Sequence, residues 1–191
     1  QFLYMSSIPV IGVPKYFPIT EEHPVNPNTL YHITKYAGEQ MVFQLCPEGM
    51  EKTVLRIPSP IGVGMSGNNF LSVLLKKCRG QETIELFGEG GRIQNYIDVR
   101  DISRAVLCSL SSGQEGLFLI AGKEGVTNRA LAELCKKLTK SSSEIIWGMR
   151  EDPEEGNRWF ISGKKAEEYL RFYPKYKLEE SIGWINESFG K

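Results

Sequence analysis

The sequence carries no surplus of either charge, with 23 Lys and Arg set against 23 Asp and Glu over 191 residues. A balanced surface lacks the electrostatic footprint of a nucleic-acid binder and gives no pull toward an anionic membrane, which leaves room only for a local basic pocket. No stretch approaches the ~20 consecutive apolar residues a membrane span needs, and the opening QFLYMSS has neither a basic leader region nor a small-residue cleavage site. A cytoplasmic location is therefore expected, and the Asn186-Glu187-Ser188 sequon is taken as chance. The four cysteines, Cys46, Cys78, Cys108 and Cys135, are widely scattered and have no Cys or His neighbour at zinc-ligand spacing. They read as reduced core residues, so neither a disulfide nor a metal site is expected. Apolar residues at 41% and charged residues at 24% are ordinary for a folded protein of this size.

Taken in order, the chain alternates strands and helices. Phe2–Met5 reads as a buried parallel strand, and the Pro- and Gly-rich loop IPVIGVPKYFPITEEHPVNP is too punctuated for regular structure. Asn28 or Thr29 caps a helix, and residues 52–57 form the next strand, a βαβ signature whose loops fall at strand C-terminal ends, where open α/β sheets bind ligands. A helix is expected over 69–79, then strands at 83–87 and 93–99 joined as a hairpin by Gly88-Glu89-Gly90-Gly91. Asp101 is expected to cap ISRAVLCSLSS, and 117–120 and 144–147 to be strands. Thr127 is expected to cap ALAELCKKL, with Leu131, Leu134, Cys135 and Leu138 on one face. The acidic stretch 151–155 reads as a solvated loop, Ser162 as the cap of GKKAEEYLRF, and LEESIGWINESF as the closing helix.

Chemistry concentrates in NTLYHITKYAGEQ, residues 28–40, where Tyr31 and Lys35 lie four apart and so share a helix face. A nearby ammonium favours phenolate over phenol, and a Tyr so poised can exchange a proton with a substrate hydroxyl or carbonyl. On the residues alone, Lys35 reads equally well as a surface charge, and Ser6-Ser7 as a turn at a strand end.

Several collinear blocks resemble the extended short-chain dehydrogenase/reductases of the NAD-dependent epimerase/dehydratase family: YMSSIPVIG, ITEEHPVNPNTLYHITKYAGEQ, LRIPSPIGVG, ELFGEGGRIQNYIDVRDISRAV and FLIAGKEGVTNRALAELCKKL. The resemblance spans nearly the whole chain. It implies an α/β fold: the C-terminal part of a Rossmann-type doubly wound parallel sheet plus a small α/β substrate-binding lobe. Residues 1–64 would belong to the NAD-binding domain and 65–191 mainly to the lobe, with 92–122 returning to the Rossmann core. It also implies a cytoplasmic enzyme using NAD or NADP on a nucleotide-sugar or related hydroxyl or carbonyl compound. Ser7, Tyr31 and Lys35 would be catalytic, with Tyr31, Lys35, Ile57 and Pro58 at the cofactor. Ser59, Asn69, Phe70, Phe87, Gln94 and Arg158 would meet the substrate, though Phe70 and Phe87 read as core packing otherwise.

The chain departs from that pattern. No G-x-x-G-x-x-G pyrophosphate loop is present, so most of the NAD affinity is expected to lie in sequence upstream of Gln1. Ser59 stands where the family has Asn, Ile11 where it has Tyr, Gln94 where it has Arg, and Ser162 where it often has Asp. A less anionic substrate fits the loss of that Arg. The rival expectation is a non-catalytic nucleotide-sugar or protein-binding remnant, and the cut sheet edge at Phe2–Met5 is expected to promote self-association.

Overall fold

A computed structural model describes residues 1–65 and 67–188. Strand β1 (Phe2–Ser7) runs into one 3-10 turn, Ile8–Ile11, so the punctuated segment expected to be irregular holds an ordered piece. Burial of Ile8, Val10 and Ile11 explains its order. Helix α1 (Leu30–Leu45) starts behind Thr29, whose Oγ1 accepts from His32 N at 3.2 Å. Strand β2 (Lys52–Ile57) returns parallel to β1, with Phe2 opposite Lys52 and Ser7 opposite Ile57, which completes the βαβ unit. Strand β3 (Ser59–Ile61) follows directly. Helix α2 (Phe70–Arg79) is capped by Asn69, whose Oδ1 accepts from Ser72 N at 2.8 Å.

Next come β4 (Ile84–Leu86), β5 (Ile93–Asp98), α3 (Val99–Ser112), β6 (Gly116–Leu119), β7 (Gly125–Thr127), α4 (Asn128–Thr139), β8 (Ile145–Trp147), α5 (Lys164–Leu170) and α6 (Leu178–Ser188). Phe189, which the sequence puts at the end of the last helix, lies outside the described residues. One sheet is parallel in the order β1-β2-β6, a second runs β3-β5-β7, and β4 pairs with β8.

The expected hairpin between β4 and β5 does not form. Ile84–Leu86 lie parallel to Ile145–Trp147, whereas β5 lies between β3 and β7. The glycines carry the chain from one sheet to another, with Gly88 and Gly90 at φ +59° and +68°, a backbone that L side chains adopt at a cost. Helix α3 is capped by Asp98 rather than Asp101: Asp98 Oδ1 accepts from Arg100 N at 2.8 Å. Asp101 lies buried in the first turn and accepts from Lys175 N and Tyr176 N, tying down the approach to α6. Thr127 caps α4 as expected. Ser162 does not cap α5; the cap is Gly163, and the helix stops at Leu170 because Arg171 turns left-handed at φ +54°, before Pro174 is reached.

Three apolar clusters hold these elements. Leu131 and Cys135 of α4 meet Leu71, Leu75 and Cys78 of α2, with Ile182 and Ile185 of α6 closing the group. Leu55, Ile97, Ala105 and Phe118 form a second cluster, which also takes Ala166 and Leu170 of α5. Ile8, Ile19, Leu119 and Trp159 form a third beneath the 3-10 turn.

A polar contact sits within the βαβ unit. Glu39 of α1 and Arg56 of β2 are 1% and 2% exposed. Arg56 Nε donates to Glu39 Oε1 at 2.9 Å and Nη2 to Oε2 at 2.7 Å, while Ser6 Oγ on β1 donates to Oε1. Removing one partner of such a pair strands a charge in the interior, whereas replacing both with apolar groups is often tolerated. Glu39→Ala is expected to cost about 3–5 kcal/mol in urea unfolding, and Glu39→Leu with Arg56→Met to recover most of it. A Glu39→Ala loss below about 1 kcal/mol would contradict the role given to the pair.

Candidate active site

On α1 the four-residue spacing puts Tyr31, Lys35 and Glu39 on one face. Glu39 is held inside the unit, so the two residues above it are carried along the same side toward the C-terminal ends of β1 and β2. Lys35 Nζ donates to Met5 O of β1 at 2.9 Å and stands 5.3 Å from the Tyr4 ring centroid and 5.9 Å from that of Tyr31. Both rings are within cation–π range. Lys35 is thus no free surface charge. Tyr31 is 58% exposed. Tyr4 passes beneath Gly38, where a side chain would collide with its ring and hydroxyl. Burial, then the charges of Glu39 and Tyr31, push the Tyr4 phenol up, so Tyr4 stays protonated and acts as a spacer. Ser7 closes β1, opposite Ile57 on β2, and no hydrogen bond engages its hydroxyl among the described residues.

Beside these strand ends opens a cavity of about 700 Å³ that includes Pro58, Ser59, Asn69, Phe70 and Gln94 among its lining residues. A second, of about 410 Å³, shares Phe70 and Gln94 with the first and takes in Phe87. Phe70 and Phe87 are both exposed, so the core-packing alternative for them fails. Ser7, Tyr31, Lys35 and Ile57 lie outside the lining of either cavity, although Asn28 and His32, which flank Tyr31, line the first. Arg158 also lies outside both. Its neighbours Asn157 and Trp159 line the larger cavity, because this extended segment pairs with Ile93 (Ile93 N to Asn157 O 3.0 Å, Trp159 N to Ile93 O 3.2 Å) and alternate residues face opposite sides.

The acidic stretch is a loop only partly solvated, with Glu151 and Glu154 exposed and Asp152 and Glu155 half-buried. Glu155 Oε1 accepts from Gly91 N at 2.6 Å, and Asp152 and Glu154 both meet Arg92. The glycines at 88 and 91 make that approach possible, since a side chain at either would run into Glu155. Sequence reasoning passed over Arg92, His32, Asn157 and Trp159. Arg92 was within reach: it stands two residues before Gln94, and a strand's period of two puts both on one face. Asn157 and Trp159 depend on a fold-back between segments some sixty residues apart, which no local pattern reports, whereas His32 directly follows Tyr31 on α1. Burial, with Cys135 beside it, raises the Tyr96 phenol well above its ordinary value and outweighs the opposing pull of Arg92, so the group stays neutral.

The model of the NAD dependent epimerase/dehydratase family matches residues 1–121. The chain belongs to that family. Among similar proteins, a UDP-glucose 4-epimerase of Halalkalibacterium halodurans is 27% identical over 95% of this chain and 60% of its own length. A dTDP-glucose 4,6-dehydratase of Streptomyces niveus is 23% identical over 98% and 58%. The fold matches the crystal structure of a UDP-glucose 4-epimerase with UDP-glucose from Thermotoga maritima at a TM-score of 0.89 and 25% identity, covering 99% of this chain and 63% of that one. The chain therefore spans a little over half the length of the curated relatives it matches. No helix among the described residues is long and apolar enough to cross a membrane, and no group of three or more His, Cys, Asp or Glu side chains among them is placed to hold a metal ion.

His32 borders the larger cavity, where burial lowers its pKa and the Glu154 carboxylate acts in the opposite direction. A histidine whose folded pKa is depressed contributes its stability above its ordinary value, near 6.5, and loses that contribution as pH falls through the depressed value. By NMR, the His32 imidazole is expected to titrate below 6.5 and to move lower still in Glu154→Gln. A midpoint at or above the ordinary value would count against this environment.

Proposed function

We propose that this chain supplies the acid/base centre and much of the substrate site of an NAD(P)-dependent epimerase or dehydratase acting on a nucleotide-sugar, through Ser7, Tyr31 and Lys35. The observation that carries the reading is the Tyr31–Lys35 pair on one helix face, anchored to β1 by Lys35 at the strand ends beside a cavity of about 700 Å³. Tyr31, the larger part of whose surface is open, takes a proton from a substrate hydroxyl or returns it. Ser7 donates from the end of β1 to the substrate oxygen, and Lys35 holds its ammonium beside the phenol. Ile57 and Pro58, at the C-terminal end of β2, offer the adjoining apolar surface.

These residues fit the nicotinamide end of NAD(P): an apolar shelf with an ammonium and hydroxyls at its edge. They do not supply a pyrophosphate loop, because the sequence contains no G-x-x-G-x-x-G. NAD, when bound, supplies hydride acceptance and return at a sugar carbon. The paired cavities suit a ligand in two parts. Ser59, Asn69 and Gln94 give the larger one polar edges, and Phe70 and Phe87 give the smaller one aromatic faces. One observation favours a second reading, a nucleotide-sugar-binding protein without turnover: Ser7, Tyr31 and Lys35 do not line either cavity.

The test uses residues 1–191 and a polypeptide extended upstream of Gln1, assayed with NAD and UDP-glucose. In the extended protein Tyr31→Phe is expected to lower kcat about 10²- to 10⁴-fold with UDP-glucose binding retained. Full activity in Tyr31→Phe removes the acid/base assignment, and binding without turnover in both forms selects the binding-protein reading. The outer edge of β1 pairs with no strand among the described residues. Residues 1–191 are accordingly expected to self-associate as concentration rises in sizing chromatography, and a monomer at every concentration would rule that out.

A further inference from the structure

Arg92 lines both cavities, as do Phe70 and Gln94, so its guanidinium marks their junction. The chain's own groups surround it. Glu154 forms an ion pair with Nη2, Asp152 Oδ1 lies 3.9 Å from Nη1, and the Gln94 amide, in the orientation that satisfies both groups, accepts from Nε at 2.6 Å and from Nη2 at 2.9 Å. Glu154 lines the larger cavity and Asp152 the smaller, one carboxylate on each side of the cation.

The two carboxylates differ in how firmly they are held. The Asp152 side chain is 12% exposed and also accepts from Glu154 N within its own loop. The Glu154 side chain is 46% exposed. An ion pair that open to water is weak enough for a better anion to displace it. A phosphate oxygen at the junction would give the guanidinium a charge-assisted, bidentate partner of the geometry it prefers.

We propose that Arg92 is the anion-binding residue of this site and that Glu154 competes with the ligand for it, so that a nucleotide diphosphate spanning the two cavities binds by displacing Glu154 from the guanidinium. The proposal rests on the nucleotide-sugar reading above and adds to it which side chain meets the charged part of the ligand and which resists it. The competition makes the site selective: a ligand without a strong anionic centre between its two parts leaves the Arg92–Glu154 pair intact and gains nothing from the cation. Arg158, exposed and outside both cavities, takes no part.

The test is calorimetric titration of UDP and of uridine into the chain and its variants Glu154→Gln, Arg92→Gln, Arg92→Lys, Arg158→Gln and Glu154→Gln/Arg92→Gln, each checked for an unchanged circular-dichroism spectrum. Glu154→Gln is expected to bind UDP about two- to fivefold more tightly than the parent. Arg92→Gln is expected to bind it about tenfold or more weakly, with Arg92→Lys between the two. The gain from Glu154→Gln should vanish in the double variant, Arg158→Gln should match the parent, and uridine should bind all of them alike. Equal UDP affinity in the parent and Glu154→Gln, a gain in the double variant, or the same gain for uridine overturns the competition while leaving the nucleotide-sugar reading in place. UDP binding by none of the chains overturns both.

Discussion

The contact on which the candidate site depends is the buried pair of Glu39 and Arg56. It joins the three pieces of the βαβ unit in one network, with Ser6 from β1, Glu39 from α1 and Arg56 from β2. A carboxylate this deep in apolar surroundings tolerates little rotation of the helix that bears it, because turning it away would leave Arg56 charged and alone. One Arg56 nitrogen, Nη1, lacks a partner among the described residues. The helix is therefore fixed about its own axis, and Lys35 and Tyr31, one and two turns nearer its N-terminus, inherit that orientation. A pair that adds little net stability thus serves to aim the residues above it.

Access to ligand is set at a second place, the crossing of residues 88–92 with 150–159. Two segments with little regular structure lie against each other there, with hydrogen bonds from Gly88 N to Arg150 O and from Ile93 N to Asn157 O. Their meeting carries Asn157 and Trp159 into the larger cavity, and Asp152 and Glu154 onto Arg92. The wall is built by backbone pairing and glycine clearance, so its chemistry sits on a loop while its position is held by β5. That combination lets one side chain, Glu154, change partners without moving the fold.

The elements were legible wherever a segment's pattern agreed with its environment. The periodicity of residues 69–79 and 130–138 marked α2 and α4, and the run at 52–57 marked β2, because each has one face or both buried against a regular neighbour. Errors fell where partners were distant in sequence. The glycine turn pointed to a hairpin, yet β4 finds its partner some sixty residues later, in β8. Asp101 was expected to cap α3, yet it accepts from the backbone at Lys175 while Asp98 takes the cap.

The sequence by itself determined the Tyr31–Lys35 spacing, the serine-bearing strand end before it and the collinear blocks that mark the epimerase/dehydratase family, because these are properties of order and short-range periodicity. Only the tertiary structure decided what surrounds them. The partnership of Glu39 with Arg56 shows in no local pattern, and the acidic stretch reads as solvated until the glycines at 88 and 91 admit Glu155. Burial and ion pairing arise between elements far apart in the chain, so whether a charge is solvated, aimed or occupied is settled only when the chain has folded around it.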